Sequence, residues 1–311
     1  MKLLVTGANG QIGWQLQRTL APLGEVVALS RAELDLSDPE QSATVVRDIR
    51  PDVLLSAAAY TSVDKAESES ELARNVNAIA PGRMAEELAR TGGLMIHYST
   101  DYVFDGRKAE PYTEEDATGP INVYGQSKLA GEQAIVASGC AHIILRTSWV
   151  YDSRGQNFLR RVLRLARERH ELRMVDDQQG APTWARAIAE ATAAIVARSS
   201  LAWSSGGSEA RNWQPTGIYH LTAAGCTTWA GFARVILETY DELLAWPADS
   251  GEFSGPLLAK EVVSITSSSF KTAAHRPANS RLCNAKIKRD FGVSLPDWKH
   301  LLRLAMLETI R

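Results

Sequence analysis

Short apolar runs recur along the chain, each too brief for a buried helix, with amphipathic stretches between them. The runs are Lys2 to Thr6, Glu25 to Leu29, Pro51 to Ser56, Gly93 to Ser99 and Ala141 to Arg146, and they read as strands buried on both faces. Between them, Ile12, Leu16 and Leu20 share one helical face, Pro39 to Ile49 is amphipathic, and helical patterns begin at Asn75, after Asn122 and at Phe158. Such alternation predicts an α/β fold, a doubly wound parallel sheet with helices on both faces and ligands at the carboxyl ends of the strands. Farther on, Gly217 to Thr222 reads as a returning strand and Thr227 to Ala233 as a helix start. The Ser- and Gly-rich stretch from Ser199 to Thr216 reads as a flexible surface loop in which truncation is tolerated.

The breaks between these elements carry the candidate chemistry. Gly7-Ala8-Asn9-Gly10-Gln11-Ile12-Gly13 joins the first strand to the first helix. Glycines there permit a tight turn and a close backbone approach, so amide groups and the positive helix end can face a pyrophosphate. The second strand ends at Ser30-Arg31, where an acidic residue would select NAD by binding the ribose 2′-hydroxyl. A serine does not repel a 2′-phosphate and an arginine can pair with it, so NADPH is expected as the preferred cofactor, with NADH usable. Small residues Ala57, Ala58 and Ala59 end the third strand and leave room for a cofactor.

If the segment after Asn122 is helical, Tyr124 and Lys128 project from one face. A free tyrosine has a pKa of about 10, and a fixed cation beside it would lower that value. Thr100, at the carboxyl end of the fourth strand, could hold a substrate oxygen. It opens a long loop that reaches the Tyr124 helix, a length that signals function in a compact domain.

Composition changes this picture little. The chain has 311 residues, 45% apolar and 23% charged, with a formal net charge of −2. That suffices for one large core or two modest ones. No basic stripe suggests nucleic acid as a partner. Cys140, Cys226 and Cys283 are too widely spaced for a disulfide framework or a zinc site. The six histidines lack metal spacing, so each is expected to pack or lie at the surface, and no metal site is expected within one chain. No apolar run reaches the length of a membrane span, which points to a cytoplasmic protein.

The glycine turn, the strand-ending Thr100 and the Tyr124/Lys128 pair together resemble the extended short-chain dehydrogenase/reductases. Gly155-Gln156-Asn157-Phe158, Asp176 to Thr183, Arg276-Pro277-Ala278-Asn279-Ser280 and Leu295-Pro296-Asp297-Trp298 narrow the resemblance to the dTDP-4-dehydrorhamnose reductases, over nearly the whole chain. The resemblance implies a Rossmann-type NADP-binding domain over 1–150 with the returning strand near 217–222, and a smaller, interleaved substrate domain over 151–311. It implies that Asp35 and Leu36 border the adenine and that the alanines, Tyr60 and Thr61 line the cofactor. Val63, Asp101 and Trp149 would meet the sugar, and Asn77 would be a structural asparagine. Thr100, Tyr124 and Lys128 would catalyse reduction of the C4 ketone of dTDP-6-deoxy-L-lyxo-4-hexulose to dTDP-L-rhamnose, a donor for surface polysaccharide such as the O-antigen of lipopolysaccharide. Lys128 would also hold the nicotinamide ribose.

Two alternatives belong to the same fold. A nucleotide-sugar 4,6-dehydratase carries Asp-Glu after the threonine, where this chain has Asp101-Tyr102. A regulatory subunit of methionine adenosyltransferase resembles the family without being a pathway reductase. By the same resemblance, some reductases of the family dimerise around magnesium held by glutamates, at places that correspond to Gln15 and Arg186 of this chain. Neither supplies the anionic oxygen magnesium prefers, so a monomer or a metal-independent homodimer is expected.

Overall fold

The computed structural model describes residues 1–204, 216–244, 253 and 255–310. Its centre is a six-stranded sheet. Strands β1 (Lys2–Thr6), β2 (Glu25–Leu29), β3 (Val53–Ser56), β4 (Leu94–Thr100) and β5 (Ala141–Thr147) are joined by Gly217–His220. All pairs are parallel, in the order β2, β1, β3, β4, β5 and then Gly217–His220. The order reverses at β1, so the crevice at its carboxyl end is where such a sheet takes ligands.

The two-residue period of a strand explains why these runs are apolar throughout. Leu3, Val5, Leu55, Ile96, Ile143 and Leu145 face one way, into a core with Leu16 and Leu20 of α1 (Gln11–Leu20) and Ile188 and Ile195 of the helix Ala185–Ser204. Leu4, Leu54, Met95 and Ile144 face the other way. There they meet Val46 of α2 (Pro39–Ile49) and, beyond the short α3 (Val63–Ala66) and α4 (Ser70–Arg74), Met84 and Leu88 of α5 (Ala80–Thr91). Ile135 of α6 (Val123–Ala137) completes that layer.

A separate core gathers Tyr151 of the short strand Val150–Tyr151 with Leu163, Phe232, Tyr240, Leu302 and Met306 from the helices Phe158–Glu168, Trp229–Leu244 and Trp298–Ile310. Beside it, Glu171–Val175 and Glu261–Ile265 form a parallel pair.

Several boundaries differ from the sequence reading. Thr100 is the last residue of β4 rather than the first of the loop, because it pairs with Thr147 of β5. The returning strand stops at His220. The helical pattern placed at Asn75 begins at Ser70, and Asn75–Ile79 forms a π-helical turn inside it. Thr227–Thr228 pairs with Gln179–Gly180 before the helix begins at Trp229. The stretch read as a loop from Ser199 is helical through Ser204, and 205–215 lies outside the described residues.

Candidate active site

The glycine turn leaves β1 as the sequence requires. Gly7 has φ of 74°, in the region that favours glycine, and a Cβ there would sit 2.9 Å from the Ala58 backbone. A Cβ on Gly13 would lie 2.1 Å from the Gly7 carbonyl oxygen, so α1 can approach only without a side chain. The amide of Gly10 donates to the Gly7 carbonyl at 2.8 Å, and α1 opens at Gln11 with no acidic residue in its first turn. Gln11 Oε1 is buried without a hydrogen-bond partner. A cradle lined by glycines, a helix N-terminus without a side-chain cap and an orphaned polar atom fit a dinucleotide pyrophosphate.

Around this turn, Ala58 donates its amide to Thr6 Oγ1 at 3.2 Å, which ties the alanine run to β1. Asn77 is buried, accepts from the Tyr60 amide at 2.8 Å and donates to the Tyr60 carbonyl at 3.0 Å and to Ser127 Oγ at 3.0 Å. It thus fixes the loop after β3 against α6. The Tyr60 hydroxyl donates to Glu69, which pushes its pKa up to about 12. Thr61 is exposed and Val63 partly exposed at the start of α3. Leu36 is buried in the sheet core, and Asp35 accepts from the Ser37 amide at 3.0 Å.

One expectation at the second strand is corrected. Although Ser30 and Arg31 are not acidic, Glu33 Oε2 accepts from both the Ser30 amide and the Ser30 hydroxyl, each at 2.8 Å. An acid therefore does reach the end of β2, carried by a tight turn. Arg31 is 79% exposed along its side chain, with Nε 3.8 Å from Asp35 Oδ2.

Thr100, Tyr124 and Lys128 come together at the carboxyl end of β4. The α6 helix starts because Asn122 caps it, accepting from the Gly125 amide at 2.8 Å while donating to the His275 carbonyl at 2.7 Å. Gly125 and Gly131 let it pack closely, since a Cβ on either would lie 2.1 Å from a carbonyl oxygen, that of Tyr102 or of Asn77. Burial pushes the Tyr124 phenol up to about 12, with the neighbouring Thr100 hydroxyl opposing the shift and Asp101 adding to it.

This also corrects the expected source of the tyrosine's tuning. The Lys128 ammonium is fully buried and donates to the Tyr98 carbonyl at 2.7 Å and to His97 Nε2 at 3.0 Å. Burial pushes its pKa down to about 8, with Glu132 opposing the shift. Lys128 makes no contribution to the Tyr124 shift. Because Nε2 accepts from Lys128, a neutral His97 carries its proton on Nδ1, 3.1 Å from Ser56 Oγ. Burial and the lysine hold His97 well below the usual histidine range. His97 was read only as a packing residue; its alternation along β4 placed it inside, but nothing local to it pointed to Lys128.

Asp101 follows Thr100 and is buried, and burial raises its pKa to about 7. Its Oδ1 accepts from Thr100 Oγ1 at 3.2 Å, and Oδ2 has no partner. Tyr102 meets Tyr124 edge-on, with ring centroids 5.7 Å apart, and lies beside Arg276. Arg276 in turn holds Asp64 at 2.7 Å, closing α3 onto the segment around Pro277. Trp149, with φ of 48°, stacks on Trp229 at 3.6 Å. Gly180 leaves it room, since a Cβ there would lie 2.4 Å from the indole. The Trp229 partner was missed as a site neighbour because the two tryptophans are distant in sequence.

The RmlD substrate binding domain family model matches residues 1–310. The chain belongs to this family. The dTDP-4-dehydrorhamnose reductase of Burkholderia thailandensis is 48% identical over 310 residues, covering 100% of this chain and 99% of that protein. That of Escherichia coli K12 is 42% identical, covering 96% of this chain and 95% of the relative. The solved dTDP-4-dehydrorhamnose reductase of Clostridium acetobutylicum superposes with a TM-score of 0.85 at 31% identity, covering 98% of each chain. That of Bacillus anthracis, solved in complex with NADP, gives 0.83 at 31% identity and covers 99% of each.

Gln15 and Arg186 lie together. Gln15 Nε2 donates to buried Asp152 at 3.0 Å, and Arg186 pairs with Glu308 and approaches Gln15 Oε1 at 3.4 Å. Among the described residues, no group of three or more His, Cys, Asp and Glu is placed to hold a metal ion. No described helix is long and apolar enough to cross a membrane.

Proposed function

We propose that this chain reduces the C4 ketone of dTDP-4-dehydrorhamnose to dTDP-L-rhamnose with NADPH, the activity in the names of its relatives at 42% and 48% identity. The observation that carries the reading is the placing of the Tyr124 phenol beside the Thr100 hydroxyl at the carboxyl end of β4, on the same sheet edge as the glycine turn. Gly7, Gly10 to Gly13, Ser30, Arg31, Asp35, Leu36 and the run Ala57 to Thr61 would hold the cofactor, with NADH usable. When bound, the cofactor supplies a hydride. Thr100 orients the ketone oxygen, and Tyr124, protonated at neutral pH because its pKa is raised, donates its Oη proton as the oxygen becomes an alkoxide. Lys128, fixed by His97 and the Tyr98 carbonyl, presents its charge to the nicotinamide ribose and adds positive potential beside the developing anion.

Val63, Asp101 and Trp149 are assigned to the sugar, with 151–311 contributing most of its site and 1–150 the cofactor's. Tyr102, beside Arg276, stands where a dehydratase needs a carboxylate, which disfavours that reading. The reaction belongs in the cytoplasm, where sugar nucleotides are made. Incubation with the 4-keto sugar nucleotide should consume NADPH absorbance and yield dTDP-L-rhamnose. Intact NADPH in the presence of substrate would overturn the reading.

A further inference from the structure

The end of β2 holds a carboxylate that neither flanking residue announces. Ser30-Arg31-Ala32-Glu33 folds as one turn, in which the amides of Glu33 and Leu34 donate to the Ser30 carbonyl at 3.1 and 2.9 Å. Leu34, 4% exposed, anchors the turn in the core beneath the sheet. Glu33 therefore reaches back, and its Oε2 takes both Ser30 donors. Its Oε1 accepts no hydrogen bond among the described residues, and the side chain lies at the surface. The turn stands next to the glycine cradle, because the Ala8 amide donates to the Leu29 carbonyl at 3.0 Å.

Charge there is divided. Arg31 attracts a phosphate, but Asp35 lies 3.8 Å from its Nε and competes for it. Glu33 repels a phosphate and can accept a hydroxyl proton. We propose that Glu33 sets the cofactor preference: its free carboxylate oxygen accepts the 2′-hydroxyl of an NADH ribose and opposes the 2′-phosphate of NADPH that Arg31 draws in. NADH use then has a structural cause, and the preference of the chain for NADPH is smaller than Ser30 and Arg31 alone would make it. This rests on the reductase reading only in requiring that a nicotinamide dinucleotide bind at the glycine turn.

The test uses the full chain with Glu33→Gln, whose amide oxygen can still accept from Ser30, and Glu33→Ala as a second variant. Dissociation constants for NADPH and NADH are measured by fluorescence titration without sugar, and kcat/KM for both with the 4-keto sugar nucleotide. Removing the charge should raise the NADPH-to-NADH affinity ratio about tenfold over wild type. A ratio that stays within about twofold of wild type in both variants overturns the proposal, as does an equal loss for both cofactors, which would make Glu33 only a brace for the turn. Should the wild type bind both cofactors yet leave NADPH unoxidised with the sugar, the reductase reading fails, and the affinity ratio still judges Glu33.

Discussion

In the proposed reaction Tyr124 would act as proton donor through what surrounds it rather than through a lowered pKa. Burial holds the phenol at about 12, so it is protonated throughout the working range and would deliver its proton only as the substrate oxygen became strongly basic. Tyr124→Phe keeps the ring against Tyr102 and should bind NADPH as wild type does, while turnover falls about 100- to 10,000-fold in the NADPH absorbance assay. A loss of only a few fold would remove Tyr124 from proton transfer. Lys128 carries a cost that pH reveals. Burial lowers its pKa in the fold from the ordinary 10.5 to about 8, so the fold penalises the ammonium at pH below 8. The unfolded chain binds more protons between those values, so this penalty is relieved as pH rises through that window. Urea denaturation of wild type and Lys128→Met should therefore show the lysine's contribution becoming more favourable between about pH 8 and 10.5. A difference independent of pH would place the lysine outside a desolvated site.

At the level of elements, α6 positions both Tyr124 and Lys128, and its seating depends on Gly131. A methyl there would press on the Asn77 carbonyl oxygen, the residue that also pins Tyr60. Gly131→Ala should cost about 1–3 kcal/mol of stability. It should also cut turnover, although the position touches no ligand, and the pair of measurements is thermal unfolding and kcat. Retained stability with unchanged kcat would show that α6 can shift without consequence. The bounds of β1, β2 and α2 were legible because apolar runs and the amphipathic stretch from Pro39 to Ile49 are local signals, and the structure adds an Asp38 cap that accepts from the amides of Glu40 and Gln41. The Tyr124/Lys128 pair was legible for the same reason, as a helical spacing. What escaped the sequence was the partner of each group. Lys128 meets His97 across 31 positions and Asn77 meets Ser127 across 50, contacts fixed by sheet order and helix seating. Glu33 escaped differently, since a four-residue turn carried an acid back to a strand end where the sequence shows none.

For the whole molecule, assembly is where charge makes the sharpest forecast. Gln15 is engaged by Asp152 and Arg186 by Glu308, an arrangement already neutralised by side chains of the chain itself. EDTA should leave the oligomeric state unchanged in sedimentation velocity, whichever state that is. A dimer that dissociates on chelation and returns with magnesium would show that other carboxylates build a metal-dependent interface. The two tryptophans also link distant parts of the chain. Trp149 follows β5 of the central sheet, and Trp229 opens a helix of the separate core, yet their rings lie 3.6 Å apart and within 10° of parallel. Indoles so close couple their electronic transitions, so the contact gives an optical reading of how the central sheet and the second core are joined. The ultraviolet circular dichroism of the native chain should carry a paired band that Trp229→Phe abolishes. Followed during denaturation, that band reports the parting of the two cores as an event separate from the loss of helix.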